Sequence, residues 1–137
     1  MPTNPYATYL EANVLAAEPV ELIRLLYRAA LDAVRDARAF LAEHQITERA
    51  QAISKAAGIL SELSLALNPE GEPALARDLL ELYDYMQRRL LAANLDQSDM
   101  ALEEVARLLT TMSEAWEGIS PQAAVRQDPG SQVAAEA

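Results

Sequence analysis

The sequence contains no cysteine and a single histidine, His44. No disulfide framework, thiolate zinc site or thiol nucleophile can be built from it, and nothing in it needs an oxidising compartment. A reducing cytoplasm is the expected location. Cationic side chains are also scarce: Lys+Arg number 11 against Asp+Glu 21, a formal net charge of -10 over 137 residues. Affinity for nucleic acid or an anionic membrane comes from cationic groups that release counterions or meet lipid phosphates, so neither is an expected partner. No uncharged apolar run approaches the roughly 18 residues that span a bilayer. The opening MPTNPYATYLEANVLAAEP lacks the basic and apolar regions of a secretion signal. The expectation is a soluble, unprocessed chain without membrane insertion, whose partner is a protein or a small molecule.

Glycine occurs only 4 times and β-branched residues are sparse, whereas Ala and Leu dominate a composition that is 51% hydrophobic. Unbranched side chains lose little entropy in a helix, and a chain of this length has room for one core. One all-α domain is expected. Its breaks are few: Pro2 and Pro5, Pro19, the run NPEGEP at 68–73, and Pro121.

Four long helical segments lie between those breaks. The first should open with Pro19 at N1, with Glu18 and Glu21 near the positive end of the helix dipole, and run to about Glu43. Leu22, Leu26, Ala30, Ala33, Ala37 and Leu41 recur along it at steps of three and four. After a short loop at His44 to Ile46, the second segment takes Thr47 as N-cap and carries Ile53, Ala56, Ala57, Leu60, Leu63 and Leu67 up to Asn68-Pro69. The third starts near Pro73, aligns Leu75, Leu79, Leu82, Met86, Leu90 and Ala93, and closes at Asn94 or Leu95. The fourth is capped by Ser98 or Asp99, carries Leu102, Val105, Leu109, Met112 and Trp116, and stops at Gly118. Short connections favour an antiparallel four-helix bundle over residues 19–119. Residues 1–18 form an N-terminal cap segment whose Tyr6, Tyr9, Leu10, Asn13 and Val14 have the spacing of a short additional helix, and residues 120–137 read as a disordered tail.

Catalytic chemistry finds no foothold. A di-iron bundle needs Glu-x-x-His on two helices, and His44 lies in a loop with no Glu three residues before it. A hydroxyl nucleophile would lack a positioned base, and there is no glycine-rich phosphate loop. Neither an enzyme nor a bound cofactor or metal is expected. Asp32, Asp36, Glu62, Glu81 and Glu103 fall off the apolar stripes, as solvated faces do, and Asp84 with Arg88 makes a helix-supporting i,i+4 pair. An excess of apolar and aromatic residues remains: Tyr83 and Tyr85, with Ile59, Leu65, Leu80 and Leu91 outside the main stripes. A bundle seam uses about three positions in seven. The surplus fits either a broad core face or an exposed groove for a partner helix; taken together, these residues favour the groove.

The stretches NPYATYLEANVLAAEPVELIRLLYRAAL at 4–31, KAAGILSELSLALN at 55–68, LYDYMQRRLLAANL at 82–95 and LEEVARLLTTMSEAW at 102–116 resemble, in order and spacing, the FliS family of flagellin export chaperones. The block LYDYMQRRLLAAN is the most specific of them. The chain departs from the family's pattern at Glu18, where a Thr or Ser cap is common, and at Arg28, where an acidic or amide residue is usual. The resemblance implies a cytoplasmic chaperone that binds the C-terminal helical segment of flagellin, prevents its premature polymerisation, and delivers it to the flagellar type III export apparatus, where an export gate component receives it. A rival of another class is a regulatory adaptor that binds an anti-sigma factor or another cytoplasmic regulator. On the chaperone reading, Tyr6, Tyr9 and Leu10 are expected to cap the groove. Tyr83, Tyr85, Met86, Leu90 and Leu91 would contact the partner from one side, with Ile59 and Leu65 across from them. Arg88 and Arg89 either pair with neighbouring carboxylates or anchor acidic groups of the partner, and Trp116 is expected in the core at the bundle's end.

Overall fold

The computed structural model describes residues 19–67 and 72–118. Four helices account for nearly all of them: α1 (Pro19–Ala42), α2 (Ile46–Leu65), α3 (Pro73–Asp96) and α4 (Asp99–Glu117). The expected N-terminal cap with Tyr6, Tyr9 and Leu10, and the expected tail at 120–137, lie outside the described residues.

The chain turns twice at one end of the molecule by the same device. After α1, Gln45 N–H donates to the Phe40 carbonyl (2.9 Å) and His44 N–H to that of Leu41 (3.1 Å), with His44 in the left-handed region at φ 59°. After α3, Ser98 N–H reaches the Ala93 carbonyl (3.1 Å), with Gln97 left-handed at φ 52°. Both closures satisfy carbonyls that a helix end leaves orphaned, and His44 is an exposed turn residue. Ser98 then caps α4 by accepting from Ala101 N–H at 3.2 Å, as its sequence position indicates. Thr47 does not cap α2. The turn closes on Gln45, whose carbonyl accepts from Arg49 N–H at 2.9 Å, so α2 starts at Ile46 and Thr47 is already inside it.

The helices form a ring. α1 packs on α2 and α4, and α3 completes the circle with the same two neighbours, α1 making the more extensive contacts. Leu26, Ala30, Val34 and Ala37 of α1 meet Ile53, Ala56, Ile59, Leu60 and Leu63 of α2, Met86, Leu90 and Ala93 of α3, and Leu102, Val105 and Leu109 of α4 in one buried cluster. Each fully buried Leu or Ile adds roughly 1.5–3 kcal/mol. The antiparallel all-α bundle expected from periodicity is the observed fold.

One polar contact crosses the core. Tyr27 of α1 and Tyr83 of α3 share a buried hydroxyl–hydroxyl bond of 2.5 Å; burial pushes both phenols above their ordinary range. Trp116 stacks against Tyr27 with ring centroids 6.3 Å apart, half-buried where α4 ends. Arg28, the departure noted in α1, pairs with Glu117 and ties the same end shut.

Candidate functional site

α2 and α3 run antiparallel, and two side-chain struts set their register. Gln87 Nε2 donates to the Ala57 carbonyl at 2.8 Å and to Ser61 Oγ at 3.3 Å. Two turns away, Arg49 donates from Nε to Asn94 Oδ1 and from Nη2 to the Asn94 carbonyl, each at 3.3 Å. Around these struts the outer surface opens into a cleft of about 390 Å³, with Ile53, Ser54 and Ala57 on one side and Gln87, Arg88, Leu90, Leu91 and Asn94 on the other. The α2 wall includes the small residues Ser54 and Ala57 beside Ile53, and next to them a Cβ added at Gly58 would meet nothing within 4 Å. The α3 wall presents Leu91, which is 59% exposed.

Other clefts have a different chemistry. The one between α1 and α2, about 210 Å³, is edged by Asp36, Glu48 and Lys55. A larger one of about 520 Å³ is edged by Arg35, Arg38 and Asp99. Volume therefore does not single out the α2–α3 cleft. Its lining does: Arg88 is the one charged residue there and no carboxylate contributes, whereas rims with charges of both signs hold more water that an apolar partner would have to displace.

The residues expected to contact a partner divide into three groups. Leu91 is on the cleft. Leu65 is 80% exposed but stands at the far end of α2, outside the cleft's lining. Ile59, Tyr83, Met86 and Leu90 are buried in the core, where the seam takes a wider apolar face than three positions in seven; of the four, only Leu90 also reaches the cleft floor. Tyr85 and Arg89 turn to the opposite edge of α3. Tyr85 donates to Glu104 Oε2 at 2.5 Å and Arg89 to Glu104 Oε1 at 2.6 Å, so they tie α3 to α4 rather than facing α2. The Tyr85 bond and the Arg89 charge hold the Glu104 carboxyl below its ordinary range. Arg88 sits 6.0 Å over the Tyr85 ring and pairs with Asp84 at 3.1 Å. Both arginines thus take the carboxylate partners that the plainer reading gave them.

Residue type alone does not single out Arg49, Gln87 or Asn94. A signal for each was present in the sequence. Arg49 falls on the stripe that continues through Ile53, Ala56, Leu60 and Leu63, and Gln87 and Asn94 are one heptad apart on a single edge of α3.

The chain is similar in sequence to known proteins along most of its length. The family model described as flagellar protein FliS matches residues 2–123. The chain belongs to the FliS family. It is 41% identical over 119 residues to the flagellar secretion chaperone FliS of Salmonella typhimurium, covering 86% of this chain and 88% of that protein. It is 40% identical over 111 residues to the flagellar secretion chaperone FliSB of Pseudomonas aeruginosa, covering 81% and 88%. With FliS of Bacillus subtilis the identity is 34% over 113 residues, covering 82% and 84%. These FliS relatives are flagellar secretion chaperones. Among the described residues of this family member no helix is long and apolar enough to cross a membrane, and none of its His, Asp and Glu residues gather in a group of three that would hold a metal.

Proposed function

We propose that this protein is a cytoplasmic flagellar export chaperone. It binds the C-terminal helical segment of flagellin in the α2–α3 groove, keeps that segment from polymerising prematurely, and brings it to the type III export apparatus, where an export gate component receives the pair. The observation that carries this reading is the open, apolar, carboxylate-free cleft on a FliS-family bundle. A segment that is disordered when free must offset an ordering cost on the order of 2–5 kcal/mol on binding. A groove that buries side chains at i, i+3 or i+4, and i+7 of an amphipathic helix offsets it by apolar area. Ser54 and Ala57 on α2 let the incoming helix approach closely, and Leu91 packs beside it.

Calorimetric titration with a flagellin C-terminal peptide tests the reading. Leu91→Asp should reduce the affinity at least tenfold in a protein whose helix content and melting are unchanged; unaltered affinity removes the groove. Recovery of an anti-sigma factor or another regulator, and no flagellin, on co-purification from a flagellated host would favour the adaptor instead. Tyr6, Tyr9 and Leu10 are proposed to cover the groove until cargo arrives, which predicts changed hydrogen exchange at residues 4–17 on adding the peptide.

A further inference from the structure

The block LYDYMQRRLLAAN ends in an asparagine that the core does not use. Asn94 is half-buried and lines the cleft. Arg49 beneath it is 5% exposed and makes no ion pair among the described residues; its guanidinium is spent on the two Asn94 oxygens. A guanidinium only donates, so Oδ1 must be the amide atom turned toward Arg49, which leaves Nδ2 on the other side. Nδ2 has no hydrogen-bond partner among the described residues. That end of the groove therefore offers the Asn94 Nδ2 donor, with the Arg49 guanidinium behind it. Midway along, Gln87 has committed its amide N–H to Ala57 and Ser61.

We infer that the Arg49–Asn94 pair is the polar terminus of the groove and fixes the direction of its occupant: a docked helix lies with its C-terminal end at Asn94, parallel to α3 and antiparallel to α2. This rests on the docking reading above. The last four carbonyls of a helix lack internal partners and carry its negative dipole end. Asn94 Nδ2 meets such a carbonyl, or a terminal carboxylate, as donor to acceptor. The reverse orientation sets unpaired N–H groups and the positive dipole end against Asn94 Nδ2 and the Arg49 guanidinium behind it. Asn94's own carbonyl belongs to the last turn of α3 and is already held by Arg49, so it does not repel the incoming end. Arg49 acts as a positioning residue, since its guanidinium hydrogen-bonds only to Asn94 among the described residues and sets which face of that amide is presented.

Asn94→Asp is the discriminating variant. It keeps the size and the Arg49 contact, now an ion pair, while replacing the donor by an acceptor. The affinity for a flagellin C-terminal peptide should fall by about tenfold, the loss of one good hydrogen bond plus repulsion, with melting temperature held or raised. Unchanged affinity in that variant, while Leu91→Asp still weakens binding at least tenfold, overturns the terminus and leaves the groove standing. Unchanged affinity in both removes the docking reading itself. Independently of any substitution, a nitroxide on the peptide's C-terminal end should broaden the amide resonances of Arg49 and Asn94, and one on its N-terminal end those near Leu80. The opposite pattern overturns the assigned direction.

Discussion

α2 packs against two neighbours and treats them differently. Toward α1 the seam is closed by Ala52, Ala56 and Ile59 against Ala30, Ala33 and Ala37, all buried, and outside it Asp36, Glu48 and Lys55 keep the surface wet. Toward α3 the outer edge is propped by Gln87 and by the Arg49–Asn94 pair, with apolar side chains left at the surface between the props. Closing a seam with apolar contact contributes stability. Propping it with polar struts leaves apolar area at the surface, and the proposed docking of a partner would use that area. On that reading the same helix supplies core on one side and binding surface on the other.

The largest expected effects test that division directly. Ile59→Ala removes a side chain with no solvent exposure and should cost roughly 2–5 kcal/mol in urea unfolding, whereas Leu91→Ala should change stability by less than about 0.5 kcal/mol. For peptide binding the order should invert in the folded fraction, with Leu91→Ala weaker and any folded Ile59→Ala close to wild type. Equal destabilisation by the two would mean that the α2–α3 edge is part of the core after all.

Next in size is the tyrosine pair. Tyr83→Phe leaves the Tyr27 hydroxyl buried without Tyr83 as partner, at a cost of about 1–3 kcal/mol, while the double change Tyr27→Phe, Tyr83→Phe should cost less than the sum of the single changes. The linkage has a definite sign. Burial raises both phenols in the folded protein, so the stability from keeping them neutral is complete below the ordinary tyrosine range near pH 10. It is lost as pH rises through and beyond that range. Base-induced unfolding followed by Trp116 fluorescence should move to higher pH in the double variant, and an identical profile would show that the pair does not titrate with unfolding.

Much of this molecule is readable from the order of its residues. Pro19 and Pro73 open helices, Ser98 caps one and Gly118 ends one, and the stripes from Leu26 to Ala37 and from Leu102 to Leu109 face inward as their spacing requires. The groove is less readable, for a physical reason. Periodicity describes one helix at a time, and Ile59, Met86 and Leu90 look the same whether a neighbour covers them or not. The direction in which Tyr85 and Arg89 turn depends on Glu104 from another helix. The importance of Arg49 and Asn94 exists only in the register between α2 and α3. Their residue types, a cation on an apolar stripe and an amide ending a hydrophobic block, were the available clue, and each is unremarkable alone.

The smallest effect concerns α4, which is fastened from outside by charge. Arg38 of α1 reaches Asp99 (2.8 Å) and Glu103 (3.5 Å), and Arg89 of α3 reaches Glu104. The Arg38 hydrogen bond lowers the Asp99 carboxyl, as Tyr85 and Arg89 lower that of Glu104. A carboxyl with a depressed folded pKa contributes stability that is present above its unfolded value, near pH 4, and is lost as pH falls through the folded value. Asp99 and Glu103 are exposed and Arg38, Arg89 and Glu104 half-buried at the surface, so solvent screening keeps each contribution small. Acid should therefore loosen α4 slightly while leaving the α2–α3 cleft, which has no carboxylate in its lining, in place. Hydrogen exchange between pH 5 and pH 3 is the measurement: protection should drop first at the outer turns of α4 in the wild type, and less so in Asp99→Asn, Glu104→Gln, which lacks that linkage at the outset. An equal loss along α2 and α3 would show that the acid-sensitive ties hold the groove as well, and the separation between stabilising seam and reserved surface would be narrower than the geometry makes it.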